Sequence, residues 1–193
     1  MLDVRVVGID FGTSNSTIGY PSESGSQLIQ IEDGSFNIPS AIFYNLETSP
    51  TVIVKPAIPD AVHKADQKAK GNKLKSKDKF VEKNQQLILI KKEKYKIQFG
   101  REAISSYTDH YDGRLLRSLK SILGSSLIND STQIGYEQLS FKDIIGHFIK
   151  HLKNKAEEYL GYTVDFVVMG RPVHFVDGDS EKDRLAQNQL ESI

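Results

Sequence analysis

Three observations predict an α/β fold for this 193-residue chain. Val4 to Phe11 is a near-continuous apolar run with the composition of a strand inside a sheet. Val164 to Gly170 is a second such run. Between them Ile144, Ile145, Phe148, Ile149, Leu152, Ala156, Tyr159 and Leu160 recur at helical spacing, giving one stripe to bury.

In the first strand, Asp10 interrupts the apolar run and Gly12-Thr13-Ser14-Asn15 follows. A carboxylate at the end of a buried strand is costly without a partner, and a cation is the obvious one. Gly12 allows a sharp turn, after which backbone N–H groups and hydroxyls can be aimed at an anion. Thr17-Ile18-Gly19-Tyr20 then returns as strand. The result reads as a strand–turn–strand phosphate loop without the glycine spacing of a Walker A or dinucleotide motif. An ordinary hairpin with an acid near its turn fits the same residues.

Gln27 to Ile31 reads as a third strand, closed by Glu32-Asp33-Gly34. Pro39 sets an extended approach to a strand in Phe36 to Tyr44, and Thr51 to Val54 is a further β-branched run. Leu87–Ile90 and Tyr95–Phe99 suggest a hairpin with the charged tip Lys91–Lys94. Gly100 opens a short helix with Ile104 and Tyr107 on one face. A second helix is expected over Arg114 to Leu123, stopped by Gly124, with Leu115, Leu116, Leu119, Ile122 and Leu123 on its apolar face and Lys120 leaving it. Ser140 to Asp143 starts the long helix, which Gly161 stops. His147 and His151 sit four apart in that helix, but without an intervening Glu or a third ligand they read as packing residues. Ser180 is expected to cap a last helix from Glu181 to Ile193, whose end carries no Gly, Pro or basic turn and reads as cut.

Net charge is zero but unevenly spread. Residues 1–63 hold 2 basic and 7 acidic residues, 64–124 hold 16 and 7, and 125–193 hold 7 and 11. The basic excess centres on a lysine-rich excursion at about 60–86, where Lys64, Lys68, Lys70, Lys73, Lys75, Lys77, Lys79 and Lys83 accompany one aromatic, Phe80. A nucleic-acid platform would interleave aromatics or arginines, so this stretch reads as a surface excursion and nucleic acid is not an expected partner. There is no cysteine, which excludes disulfides, thiolate metal sites and Cys nucleophiles. No apolar run is long enough to span a bilayer, and Met1–Val4 has no basic n-region or cleavage site. A cytoplasmic protein that does not enter a membrane is the expectation.

Gly8-Ile9-Asp10-Phe11-Gly12-Thr13-Ser14-Asn15-Ser16 resembles the first phosphate loop of the actin, sugar-kinase and heat-shock chaperone superfamily, and most closely the DnaK-type seventy-kilodalton chaperones. The resemblance continues in order through Pro39-Ser40, Phe99-Gly100-Arg101-Glu102-Ala103, Lys120-Ser121-Ile122-Leu123-Gly124 and Ala156-Glu157-Glu158-Tyr159-Leu160-Gly161 to Phe175. Gly170-Arg171-Pro172 departs from the usual pattern and is closer to the divergent bacterial YegD-like branch; Arg171 stands where the family's interdomain relay has a small apolar residue before its proline.

The resemblance implies an actin-like ATPase lobe with a ribonuclease H-like motif: a mixed five-stranded sheet, flanking helices, and an inserted α+β peripheral subdomain. Residues 1–36 and 113–193 would form the inner subdomain and 37–112 the insertion. It implies binding of ATP or ADP with Mg²⁺, K⁺ being a further candidate. Asp10 would hold the cation mainly through water, while Gly12, Thr13, Ser14 and Asn15 would contact the phosphates. Thr13 and Lys120 would act at the γ-phosphate. The family's second phosphate loop, adenosine motif and peptide-binding region have no counterpart in these residues, so the chain corresponds to the first lobe and is expected to be inactive alone. A second lobe, unfolded client peptides and co-chaperones are the implied partners. A sugar-kinase-type phosphotransferase lobe and a non-enzymatic actin-like assembly unit are the alternatives.

Overall fold

The computed structural model describes residues 5–47, 52–53, 88–89, 94–170 and 179–193. The lysine-rich excursion at about 60–86 and Arg171–Pro172 lie outside the described residues. The chain forms β1 (Val6–Phe11), β2 (Asn15–Ser22), β3 (Gly25–Leu28), β4 (Asn37–Pro39), β5 (Ala41–Glu47), β6 (Val52–Ile53), β7 (Ile88–Leu89), β8 (Lys94–Phe99), α1 (Gly100–Thr108), β9 (Gly113–Arg117), β10 (Ser131–Ile134), β11 (Glu137–Ser140), α2 (Phe141–Leu160), β12 (Phe166–Gly170) and α3 (Ser180–Glu191). It divides into two compact units, one of Met1–Glu47 with Glu93–Ile193 and one of Thr48–Lys92. In the second unit, β6 and β7 pair antiparallel.

The first unit is built on a five-stranded mixed sheet in the order β12-β1-β2-β3, with β4 also paired to β2. β1 runs parallel to β12 and antiparallel to β2. The α/β class, with a mixed sheet and flanking helices, is therefore what the chain adopts. Strand alternation splits β1 between two environments: Val7, Ile9 and Phe11 point into the core, while Gly8 and Asp10 are exposed. The core side meets the stripe of α2, where Ile144, Ile145, Phe148, Leu152 and Ala156 are all fully buried. Phe11 and Phe148 form the centre of this contact, ring centroids 5.9 Å apart. Each such side chain contributes about 1.5–3 kcal/mol on burial.

The long helix begins and ends where its residues dictate. Ser140 accepts from the Asp143 amide at 3.1 Å, and Gly161 takes the left-handed cap at φ 74. Tyr159, expected on the stripe, is exposed and instead faces Tyr20, with centroids 6.3 Å apart.

A second sheet, ordered β8-β5-β9 and wholly antiparallel, carries α1 against it. Here the structure corrects two expectations. Tyr95–Phe99 does not form a hairpin with the preceding run: β8 pairs with β5, and Ile88–Leu89 pairs with Val52–Ile53. Residues 114–123 are not one helix. Arg114 to Arg117 belong to β9, and a single 3₁₀ turn follows at Leu119–Ile122. Adjacent leucines explain the switch. On a strand they face opposite ways, so Leu115 packs beside Phe43 and Ala103 while Leu116 joins the main core. In α1 the buried positions are Gly100, Ala103 and Ser106; Ile104 packs against the cluster of Phe43 and Ala103, and Tyr107, though largely exposed, sets its ring against the Phe43 ring with centroids 6.5 Å apart.

Three smaller differences concern boundaries and exposure. The third strand stops at Leu28, although Ile29 and Ile31 remain buried beyond it. The last helix is capped by Asp179, which accepts from the Lys182 amide, one residue before the expected Ser180. The Val164–Gly170 run, read as buried, ends as β12, an edge strand among the described residues, with Phe166 and Val168 each 61% exposed. Among the described residues no helix is long and apolar enough to cross a membrane.

Candidate functional site: an acid, a hairpin loop and a lysine

The expectation of a buried Asp10 is not met. The alternation of β1 sends its side chain to the solvent face of the sheet, so the carboxylate escapes the desolvation that a core position would impose. In the sheet register Asp10 lies between Thr17 of β2 and Gly170 of β12. A side chain on Gly170 would begin 3.7 Å from the Asp10 Cα, so this glycine keeps one flank of the acid open. Among the described residues no group of three or more His, Asp or Glu could hold a metal ion. A cation at Asp10 would therefore keep most of its water shell, as Mg²⁺ commonly does.

The loop after β1 is tight. A Cβ on Gly12 would lie 2.1 Å from the Asn15 carbonyl oxygen, so the close approach of these two residues requires glycine. Thr13, Ser14 and Asn15 follow as three consecutive exposed residues. Among the described residues the amides of Thr13 and Ser14 donate no hydrogen bond, and both are available to an acceptor from solvent.

Lys120 is brought to the same place from a different element than the sequence suggests. Ser118 adopts a left-handed conformation, φ 55 and ψ 36, which turns the chain out of β9 into the 3₁₀ turn. Leu119, 1% exposed, then anchors that turn in the core, and Lys120 follows directly. Partial burial pulls the Lys120 ammonium below its usual lysine range, and the Asp10 carboxylate opposes that shift. Asp10 and Lys120, far apart in sequence, thus feel each other's charge. A carboxylate, a run of amides and hydroxyls, and an ammonium partly removed from water can hold a hydrated cation next to an oxyanion.

Two residues of this region escaped sequence reasoning. Ser16 and Ser40 are 1% and 2% exposed, and their hydroxyl oxygens lie 2.9 Å apart beneath the loop. Alternation offered a signal at Ser16, which shares the buried side of β2 with Ile18 and so needs a polar partner. Nothing local identified that partner as Ser40.

The histidine pair is engaged elsewhere. The Tyr44 hydroxyl and His147 Nδ1 share a hydrogen bond at 2.8 Å, and burial raises the phenol's pKa while lowering that of the imidazole. His151 stacks flat on Phe99, ring centroids 3.9 Å apart. A cavity of about 500 Å³ opens beside this helix, with Tyr95, Asp143, His147 and Lys150 in its polar lining; neither Asp10, the hairpin loop nor Lys120 borders it. In the acid–loop–lysine site Asp10 and Thr13 to Asn15 are exposed, and Lys120 is half-buried.

A scan against models of known protein families and a search of curated proteins both return no match.

Proposed function

We propose that the chain is the phosphate-binding lobe of an actin-like ATPase of the DnaK-type chaperone kind, acting on ATP with Mg²⁺. The observation that carries this reading is the tight turn at Gly12 directly after Asp10, which leaves Thr13, Ser14 and Asn15 exposed, with the half-buried Lys120 close enough to feel the Asp10 charge. Phosphoryl transfer needs positioning and charge neutralisation more than covalent chemistry, and these residues supply both kinds of contact. Asp10 holds the hydrated Mg²⁺. Gly12, Thr13, Ser14 and Asn15 meet the β- and γ-phosphates, with Thr13 nearest the transferred group. Lys120 supplies fixed positive charge at the γ-phosphate and orients the attacking water. A second lobe completes the site with its own phosphate loop and the adenosine contacts; hydrolysis then changes the angle between lobes and, with it, the affinity for unfolded peptides.

The test is titration of the ¹⁵N-labelled chain with Mg²⁺–ATP. Half a site binds with a Kd of roughly millimolar, and the shifted amides are those of Gly12 to Asn15 and Lys120. Lys120→Ala weakens this binding and leaves the fold intact, with stability changed by about 0.5 kcal/mol or less. Saturation shifts confined to residues around Tyr95 and His147 would end this reading, as would micromolar binding by the chain alone.

One observation favours the reading as an assembly unit. Among the described residues β12 is an uncharged edge strand that carries the exposed Phe166 and Val168, a combination open to pairing with another strand. Light scattering with ATP and Mg²⁺ separates the two, because only an assembly unit grows into filaments.

A further inference from the structure

We propose that Ser40 is the positioning residue of the hairpin loop, and that it works by setting the direction of the Thr13 amide. The ligand assigned to that amide, a phosphate oxygen, rests on the function proposed above; the positioning itself does not.

Ser40 follows β4 directly and is 2% exposed. It holds the loop at two points. Its Oγ donates to the Gly12 carbonyl at 2.8 Å, and its backbone N–H donates to the Ser14 carbonyl at 2.8 Å. A hydroxyl has one hydrogen to give. With that hydrogen on Gly12, the 2.9 Å contact between Ser16 and Ser40 must run from the Ser16 hydroxyl to the Ser40 oxygen. The chain of bonds therefore has one direction: Ser16 to Ser40 to Gly12.

The consequence follows from peptide geometry. The Gly12–Thr13 peptide is planar and trans, so its N–H points opposite to its carbonyl. Drawing the Gly12 carbonyl inward to Ser40 turns the Thr13 N–H outward, where it meets no acceptor among the described residues. A buried hydroxyl with no exposure of its own thus fixes an exposed donor in advance of binding. Catalytic donors need this preorganisation, because a loop ordered only on binding loses affinity to the ordering.

The structure distinguishes positioning from mere support, because Ser16 and Ser40 bury one hydroxyl each but only Ser40 touches the loop carbonyl. We expect Ser40→Ala to lower the ¹⁵N order parameter of the Thr13 amide from the rigid range near about 0.85 toward about 0.6. We expect Ser16→Ala to leave that value close to wild type while melting at a similarly reduced temperature. Ser40→Cys, which keeps the shape but donates weakly, serves as the second variant where the alanine protein does not fold, and should move the Thr13 amide in the same direction. Mg²⁺–ATP binding should weaken roughly fivefold or more in Ser40→Ala, as for loss of one well-placed hydrogen bond, and less in Ser16→Ala. An unchanged Thr13 order parameter in the Ser40 variants, or an equal loss in Ser16→Ala, overturns the proposal. Wild-type chain that gives no saturable shift with Mg²⁺–ATP overturns the phosphate reading alone, and the order parameters still decide whether Ser40 positions the loop.

Discussion

Two glycines of one hairpin should respond to the same substitution with opposite signs. Gly8 and Gly12 both flank exposed positions around Asp10, and neither takes a positive φ, so space rather than conformation decides each outcome. At Gly12 an added Cβ would meet the Asn15 carbonyl oxygen at 2.1 Å, where ordinary contact begins at 3.4 Å. The oxygen would have to recede by about 1.3 Å, the difference between those distances. It is backbone, and it is held from the far side: Asn15 pairs with Pro39, and the Ser14 carbonyl is bonded to the Ser40 amide. Forced overpacking of this kind costs about 1–3 kcal/mol. For a chain of this size each kcal/mol is worth about 2–4 °C, so Gly12→Ala should melt roughly 2–12 °C below wild type. At Gly8 the nearest atoms, the carbonyl oxygens of Gly19 and Val168, stand 4.0 Å away. Gly8→Ala restricts the unfolded chain without a clash and should stabilise by about 0.4–1 kcal/mol, melting at or slightly above wild type. Circular-dichroism melts of the three proteins at one pH and concentration read the contrast. A Gly12→Ala protein melting within a degree of wild type would refute the loop geometry and weaken the assignment of the exposed amides with it.

Two further outcomes test the packing that carries the site. His151 lies stacked on Phe99, and burial, with Lys155 adding to it and Glu102 and Glu158 opposing, pushes its pKa down to about 4. The folded value lies below the unfolded one, so below pH 6.5 the unfolded chain takes up a proton that the folded chain refuses. Stability from this group is complete above pH 6.5 and falls by up to about 1.4 kcal/mol per pH unit toward pH 4; urea midpoints from pH 7 to pH 5 should drop, and His151→Leu should flatten the slope. A slope untouched by that variant would show that His151 carries none of it. Phe148→Ala removes the ring that meets both Phe11 and Phe99, and should cost about 3–5 kcal/mol in urea unfolding at constant m; a loss below 1 kcal/mol would contradict the core described for β1 and α2.

The most legible element was the one whose signals agreed at every level. In α2 the apolar period, the Ser140 cap and the Gly161 stop point to one helix, and one helix forms. Leu115 and Leu116 carried no such agreement. Two adjacent leucines satisfy a helix face or the two sides of a strand, and the choice was made by pairing with β5, which the local sequence does not contain. The run Val164–Gly170 misled for a related reason: apolar composition marks a strand, but burial depends on what lies beside it, and among the described residues β12 is an edge. At the site, Asp10 and Gly12 to Asn15 were visible as a pattern because they are consecutive. Lys120 was expected on a helix and lies instead on a 3₁₀ turn after β9. Ser40 could not be recognised, because a buried serine acquires meaning only from the carbonyl it reaches, and that carbonyl belongs to another strand's end.

The same tertiary dependence explains how a largely exposed polar site can hold its geometry. Asp10 is followed by Phe11, fully buried, and Lys120 is preceded by Leu119, 1% exposed. Phe11 and Leu119 belong to one hydrophobic cluster. The acid and the lysine are thus each one residue from an anchor in a common, close-packed core, whose side chains interdigitate with few voids. A surface ion pair holding itself together by attraction alone would be worth little and would be screened by salt. Here the spacing of the two charges is set from below, by apolar packing that salt does not weaken. The loop between β1 and β2 has no apolar side chain of its own to send into that core. Ser40 takes over the task by hydrogen bonding to Gly12 and Ser14, which is why the loop needs a buried polar brace where the acid and the lysine need only a neighbouring phenylalanine and leucine.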